Sequence, residues 1–336
     1  MKTSTLGSTG VRVTELSFGA AGIGNLYRPI TDEAALAAVD AAWDAGIRTF
    51  DTAPHYGLGL SERRLGAALR DRPRDTYTVS TKVGRLLEPD PQGGRGDDLA
   101  HGFAVSDTHR RVWDFSADGV LRSLEASLRR LGLDRVDVAL LHDPDDHADQ
   151  ALREAYPALE RLRDEGVIGA IGVGMNQCAL PARFLRETDI DVVLLAGRYT
   201  LLEQEGLAEM LPEAAARGRS VIIGGVFNSG LLIAPEPGAM YDYAPAPQPV
   251  LDRALRLKAV AERHGVPLRS AALHFPYGHP AVASVLAGAR SAEEVRDTVD
   301  QLRHPLPAAL WNELRAEGLL APDTPTPAGG PPEKSP

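Results

Sequence analysis

Short apolar runs alternate along this chain with longer stretches in which apolar residues recur every three or four positions. The first kind reads as strand and the second as amphipathic helix. Glu15–Gly19 is followed by Glu33–Ala45, apolar at Ala34, Leu36, Ala37, Val39 and Trp43. Ile47–Asp51 precedes Ser61–Leu69, and Tyr77–Lys82 leads, across a long polar stretch, to Ala117–Leu131. The order repeats with Val136–Leu141 before Gln150–Asp164, Val167–Gly174 before Leu180–Glu187, and Val192–Ala196 before Glu205–Arg217. Ser220–Val226 precedes Pro249–His264 and Arg269–Tyr277, and Val282–Ala287 precedes Ala292–Leu302, which makes eight β-then-α units.

Several runs, Val136–Leu141 among them with Asp137 as its one polar residue, are apolar rather than alternating, as strands covered on both faces are. Eight such units predict the α/β class, as a closed parallel (β/α)₈ or TIM barrel rather than an open sheet. A doubly wound sheet usually carries G-x-G-x-x-G after its first strand. Here that turn reads Gly19-Ala20-Ala21-Gly22-Ile23-Gly24, without the spacing. Thr3–Leu6 and Val11–Thr14 flank Gly7 and Gly10 and predict an N-terminal hairpin plugging the barrel bottom. Residues 1–320 are expected to form one domain. Ala321–Pro336 is rich in Pro and Gly and is expected to be a disordered tail. Gly84–Ser116 is the longest insertion, and loops of that length are usually functional or disordered. Trp113 and Phe115, near its end, predict that at least that part is packed.

Composition narrows the function classes. The chain is 43% hydrophobic and 24% charged, as globular proteins are, and its net charge of −10 disfavours nucleic acid as a partner. No apolar run approaches the roughly 20 residues that span a bilayer, so no membrane partner is expected. Met1–Gly10 lacks the apolar core of a signal peptide. The single cysteine, Cys178, excludes an intramolecular disulfide, and a cytoplasmic location is expected.

Catalytic groups on this fold sit at the C-terminal ends of strands and in the loops that follow. Asp51 ends the second strand, Tyr56 lies five residues on, Lys82 ends the third strand and His142 ends the fourth. Singly, each has an ordinary reading: a turn or cap aspartate, a snorkelling lysine, a structural histidine. Three adjacent strands ending on titratable residues weaken that reading. Transfer of hydride to a carbonyl leaves an alkoxide that needs a proton. A tyrosine can supply it, but its free pKa of about 10 is too high for efficient exchange near neutrality. A neighbouring ammonium lowers that pKa, a carboxylate holds the ammonium charged and aimed, and a histidine orients the reacting oxygen. No H-x-H or H-E-x-x-H spacing points to a metal.

From about Thr5 to Leu302 the sequence resembles the aldo-keto reductases. The match rests on Asp51-Thr52-Ala53-x-x-Tyr56-Gly57 followed by Ser61-Glu62, with Leu131-Gly132-Leu133-Asp134-x-x-Asp137 and Gly169-x-Ile171-Gly172-Val173 in support. The resemblance implies a (β/α)₈ fold, a nicotinamide dinucleotide bound without a Rossmann domain, and a catalytic tetrad of Asp51, Tyr56, Lys82 and His142. Val112–Ser116, His142-Asp143-Pro144-Asp145, Gly197–Leu202 and Gly225–Gly230 are similar to one branch. That branch contains L-fucose, D-arabinose and L-galactose dehydrogenases and pyridoxal 4-dehydrogenase, and oxidises cyclic hemiacetals to lactones.

The resemblance also places cofactor contacts at Gly22, Asp51, Asn176, Phe227, Asn228, Ser229, Gly230, Gly288, Arg290 and Glu294. Asn176 matches the asparagine that holds the nicotinamide carboxamide. Ala196 stands where relatives carry a glutamine, and Gly224 where they carry the aromatic that stacks on nicotinamide. Phe227 is a candidate to cover the ring and equally a candidate core residue. Relatives that prefer NADP carry a lysine after strand eight and an arginine six residues later. Those positions hold Gly288 and Glu294, so NAD is the expected cofactor, with Arg290 leaving NADP possible.

The expected activity is oxidation of an aldose hemiacetal at C1 to a lactone. The alternatives are a pyridoxal 4-dehydrogenase, a general aldehyde or ketone reductase, and a non-catalytic nicotinamide-binding subunit. In each enzyme reading the partner is a small sugar or carbonyl compound.

Overall fold

A computed structural model describes residues 1–242 and 244–328. Eight parallel strands close into a barrel: β1 (Leu16–Gly19), β2 (Thr49–Asp51), β3 (Thr78–Val83), β4 (Val138–His142), β5 (Ala170–Met175), β6 (Val192–Ala196), β7 (Ser220–Gly224) and β8 (Val282–Gly288). Sequential neighbours pair throughout, and β8 returns to β1 through Val285 opposite Leu16. This is the TIM barrel that the alternating pattern predicts.

The alternation of side chains along each strand splits the core in two. Val138 and Leu140 of β4 point into the barrel with Ala170, Val192, Leu194 and Ile222, while Ala139 and Leu141 join the layer under the helices. Because both faces are covered, both sets are apolar. The hairpin Thr3–Thr5 with Arg12–Thr14 sends Leu6 and Val13 into the interior cluster, so it plugs the barrel as expected. Helix ends follow local chemistry. Thr31, Ser116 and Ser291 each accept the backbone N–H three residues on and cap the helices Asp32–Asp44, Ala117–Leu131 and Ala292–Arg303. A further helix, Ala308–Ala316, lies beyond the last predicted unit and buries Trp311 and Leu314.

Residues 321–336, expected as a disordered tail, divide in two. Thr324 is buried, and Arg315 Nη2 donates to Thr324 O at 3.0 Å and to Thr326 Oγ1 at 2.7 Å. These bonds satisfy backbone and hydroxyl groups that a solvated tail would leave to water, so the expectation does not hold for residues 321–328. Residues 329–336 lie outside the described part of the chain. Residues 84–116 form two antiparallel hairpins, Arg85–Pro89 with His109–Trp113 and Asp97–Asp98 with Phe103–Ser106. Phe115 is fully buried, whereas Trp113 is 41% exposed, so only Phe115 is packed as expected. Gly84, at φ +97°, turns the chain out of β3. A Cβ there would lie 2.1 Å from the Phe115 ring, so glycine is needed for the hairpin to start where it does.

Candidate active site

Parallel strands put all eight C-terminal ends on one rim of the barrel. In register, Asp51 of β2 lies opposite Ser80 of β3, and Lys82 of β3 lies opposite Leu140 of β4, two residues before His142. Asp51, Lys82 and His142 are 2, 2 and 5% exposed, so the site is a buried polar set under the rim.

The lysine is the hub. Its Nζ donates to Asp51 Oδ1 at 2.5 Å, to Thr52 O at 3.0 Å and to the Tyr56 hydroxyl at 3.0 Å, which uses all three ammonium donors. Ser80 Oγ donates to the other Asp51 oxygen at 2.7 Å and fixes the carboxylate. Burial alone would lower the lysine pKa. The adjacent Asp51 carboxylate and Tyr56 oxygen outweigh it and hold Lys82 above its ordinary range, so it stays charged. An ammonium cannot accept, so the Tyr56 oxygen is the acceptor in this bond and directs its own proton away from Lys82.

His142 closes the other side. Its ring is edge-on to Tyr56 at 6.0 Å and to His55 at 5.7 Å between centroids. Burial, then the charges of Arg85 and Lys82, hold it well below the ordinary histidine range, so it is neutral. Its Nδ1 is buried and has no hydrogen-bond partner among the described residues, while Nε2 stands 3.7 Å from Asp143 Oδ2.

The family-like residues Ser61 and Glu62 brace this geometry. Ser61 Oγ bonds Ala20 O at 2.7 Å and Thr52 Oγ1 at 2.8 Å, tying together the turns after β1 and β2. Glu62, fully buried, accepts from Thr81 of β3 at 2.9 Å and from Arg130 at 2.5 Å.

The remaining predicted residues lie around the same rim. Gly22 packs against the turn after β8, where a Cβ would meet Ala289 O at 2.7 Å and the Arg290 side chain at 2.9 Å. Gly288 ends β8, opposite Gly19. Asn176, just after β5, is exposed and lines a cleft together with Arg85 and Asp143. Ala196 and Gly224 are paired neighbours at the ends of β6 and β7. Phe227 is half-buried against the outer core. Asn228, Ser229 and Gly230 all have positive φ, at +46°, +58° and +101°. Asn228 accepts from Thr200 Oγ1 at 2.8 Å, so its amide ties the loop after β7 to the loop after β6. Glu294 accepts the Arg290 backbone N–H at 2.8 Å and lies 3.5 Å from the Arg290 guanidinium and 3.8 Å from that of Arg28.

Four residues at the site fall outside the sequence-based set. His55 stands at an open position of the motif, beside Tyr56. Arg85 and Arg111 belong to the first hairpin of the insertion, and Asp143 follows His142. The signal in the sequence is position: His55 and Asp143 lie inside the quoted motifs, and Arg85 stands three residues after Lys82.

The chain belongs to the Aldo/keto reductase family, whose model matches residues 15–317. It is 46% identical over 319 residues to a D-threo-aldose 1-dehydrogenase from a Pseudomonas species, covering 94% of this chain and 97% of that relative. It is 41% identical over 333 residues to the pyridoxal 4-dehydrogenase of Microbacterium luteolum, with the same coverage of each chain. The fold matches an aldo-keto reductase from Bacillus halodurans in its holo form, with a TM-score of 0.73 and 28% identity over 94% of this chain and 96% of that one. The protein is therefore an oxidoreductase acting on CH–OH groups with a nicotinamide cofactor and a small carbonyl or sugar substrate. Among the described residues no helix is long and apolar enough to cross a membrane.

Proposed function

We propose that this protein oxidises the ring-closed hemiacetal of an aldose at C1 to a lactone, with NAD as preferred acceptor and Tyr56 as the acid–base group. The carrying observation is the buried Lys82 ammonium shared between Asp51 and the Tyr56 oxygen. A fixed positive charge there favours the phenolate that takes the hemiacetal proton. When bound, the nicotinamide accepts the C1 hydride, so that loss of C1–H and O–H leaves the lactone carbonyl, NADH and a proton. Neutral His142 holds the reacting oxygen toward Tyr56, and the burial that lowers its pKa makes it too weak a base to take the proton in place of Tyr56.

The residues around the rim fit the cofactor. Gly22 lets the turn after β1 pack directly on the turn after β8 that carries Arg290. Asn228, Ser229 and Gly230, all at positive φ, form a tight turn at the end of β7, where the family resemblance places cofactor contacts. Asn176 would hold the carboxamide and Phe227 would cover the ring, with Asp51 beneath. Gly288, Arg290 and Glu294 would face the adenosine end. There Glu294 already engages Arg290 and bears a charge that opposes a 2′-phosphate, which supports NAD over NADP.

The pyridoxal hemiacetal carries the same reacting C–H and O–H, and the similarity to a pyridoxal 4-dehydrogenase makes it the second reading. The test is a panel of L-fucose, D-arabinose and pyridoxal with each cofactor, followed by nicotinamide absorbance with early product analysis. Lactone formation from an aldose with a higher kcat/KM for NAD is the expected result. Oxidation of pyridoxal alone overturns the sugar reading, and equal or better use of NADP overturns the role given to Glu294.

A further inference from the structure

A cleft of about 540 Å³ opens beside the turn that follows His142, lined by Arg85, Trp113, Asp143, Asp145, His147 and Asn176. Its floor is an ion pair that the proton relay does not use. Arg85 Nη2 donates to Asp143 Oδ2, with Arg85 only 12% and Asp143 24% exposed at the side chain. We propose that Arg85 and Asp143 form the pair that reads the hydroxyl next to the reacting carbon, and that this pair selects ring-closed polyols. This rests on the hemiacetal reading above.

Three observations carry it. The first is position. Asp143 Oδ2 is 3.7 Å from Nε2 of His142, the residue that holds the reacting oxygen in that reading. In a sugar ring, oxygens on adjacent carbons lie about a hydrogen-bond length apart. A substrate with O1 at His142 and Tyr56 therefore presents its neighbouring oxygen to Asp143 and Arg85. The second is unused capacity. Arg85 and Asp143 both line the cleft, a guanidinium carries five N–H donors and a carboxylate accepts on both oxygens, so the single bond between them leaves the pair with donors and an acceptor to spare. A hydroxyl is both acceptor and donor and matches the two together.

The third is the backbone. Asp143 is a non-glycine residue at φ +41°, with its N–H fixed on Gly174 O at 3.1 Å. Such a conformation is uncommon outside glycine and persists where the surroundings impose it. Here it turns the carboxylate back across the rim toward Arg85, on the hairpin that leaves β3. Trp113, on the paired strand, has its ring 5.4 Å from the Arg85 guanidinium and is 41% exposed, which leaves indole surface for the C–H face of a sugar. The competing explanation is that the ion pair is only a latch holding the hairpin on the barrel.

Removing the substrate hydroxyl separates the two explanations. The kcat/KM of the wild type, Asp143→Asn and Arg85→Met is measured with D-arabinose and 2-deoxy-D-arabinose. Bonds to charged groups predict that the wild type loses about 10- to 100-fold on the deoxy sugar. Both variants are expected to lose efficiency on the parent sugar, so that the two sugars come within about threefold of each other. A wild type that does not distinguish the sugars overturns the proposal without reference to either variant. Discrimination kept in Asp143→Asn or in Arg85→Met also overturns it and leaves the pair a latch. Aldose oxidation with either result leaves the hemiacetal reading standing. Oxidation of pyridoxal but of no aldose overturns both.

Discussion

Arg111 Nε donates to His55 Nδ1 at 2.5 Å, and this bond sets the protonation of a ring in van der Waals range of the reaction site. A guanidinium has no acceptor, so Nδ1 must be unprotonated and the ring carries its hydrogen on Nε2. Burial, then the Arg111 charge, pushes the His55 pKa down to about 2. The same arginine grips Asp98 through two bonds, Nη1 to Oδ1 at 2.7 Å and Nη2 to Oδ2 at 2.5 Å, and reaches the His55 carbonyl at 3.0 Å. It thereby fastens both hairpins of the insertion to the loop that carries Tyr56.

Replacing Arg111 by Met leaves Asp98, 5% exposed at its side chain, without its fork partner. Breaking a buried pair from one side costs about 3–5 kcal/mol. Arg111→Met should lower stability by that order in urea denaturation and reduce turnover as the hairpins loosen. Arg111→Lys, with charge but no planar fork, should recover less than half of the stability. Full recovery in the lysine variant would show that charge alone suffices.

Tyr56→Phe removes the group placed at the proton-transfer position. Positioned acid–base groups contribute about 10²- to 10⁴-fold, so turnover should fall by that factor. Cofactor affinity, read by protein fluorescence quenching, should stay near that of the wild type. Turnover close to native would sink the assignment.

Lys82 and Asp51 form a buried pair at 2.5 Å. Lys82→Met strands the carboxylate and Asp51→Asn strands the ammonium, each at about 3–5 kcal/mol. The double variant strands neither charge and should cost less than the sum of the two. Urea midpoints of the four proteins give the coupling directly, and simple additivity would mean the two charges act independently.

His55 and His142 are both held below the ordinary histidine value in the folded state, first by burial. Unfolding restores that value, near 6.5. Below it the unfolded chain binds protons that the native chain refuses, so stability is full above about pH 6.5 and falls as pH drops. Each buried histidine contributes a slope of about 1.4 kcal/mol per pH unit well below 6.5. Denaturation midpoints from pH 7.5 to 5 should show this loss, and His55→Asn should flatten it. An unchanged slope in that variant would assign the acid sensitivity elsewhere.

The barrel and the core of the site were legible in the chain because both depend on short-range order. Period and strand length give β-then-α units, parallel closure puts every strand end on one rim, and Asp51, Lys82 and His142 occupy such ends. The Ala308–Ala316 helix was not among the predicted elements, although Leu310, Trp311 and Leu314 carry a helical spacing, because it lies past the last repeat. The tertiary structure alone decided the rest. The strands of residues 84–116 pair within each hairpin and not with the barrel strands, and they bury neither face completely, so no apolar period marks them. Arg111 meets His55 across 56 residues of chain, and Arg85 meets Asp143 across 58. The tautomer of His55 and the Arg85–Asp143 pair exist only once these segments share one rim, because a hydrogen bond is fixed by distance in space and leaves no period in the sequence.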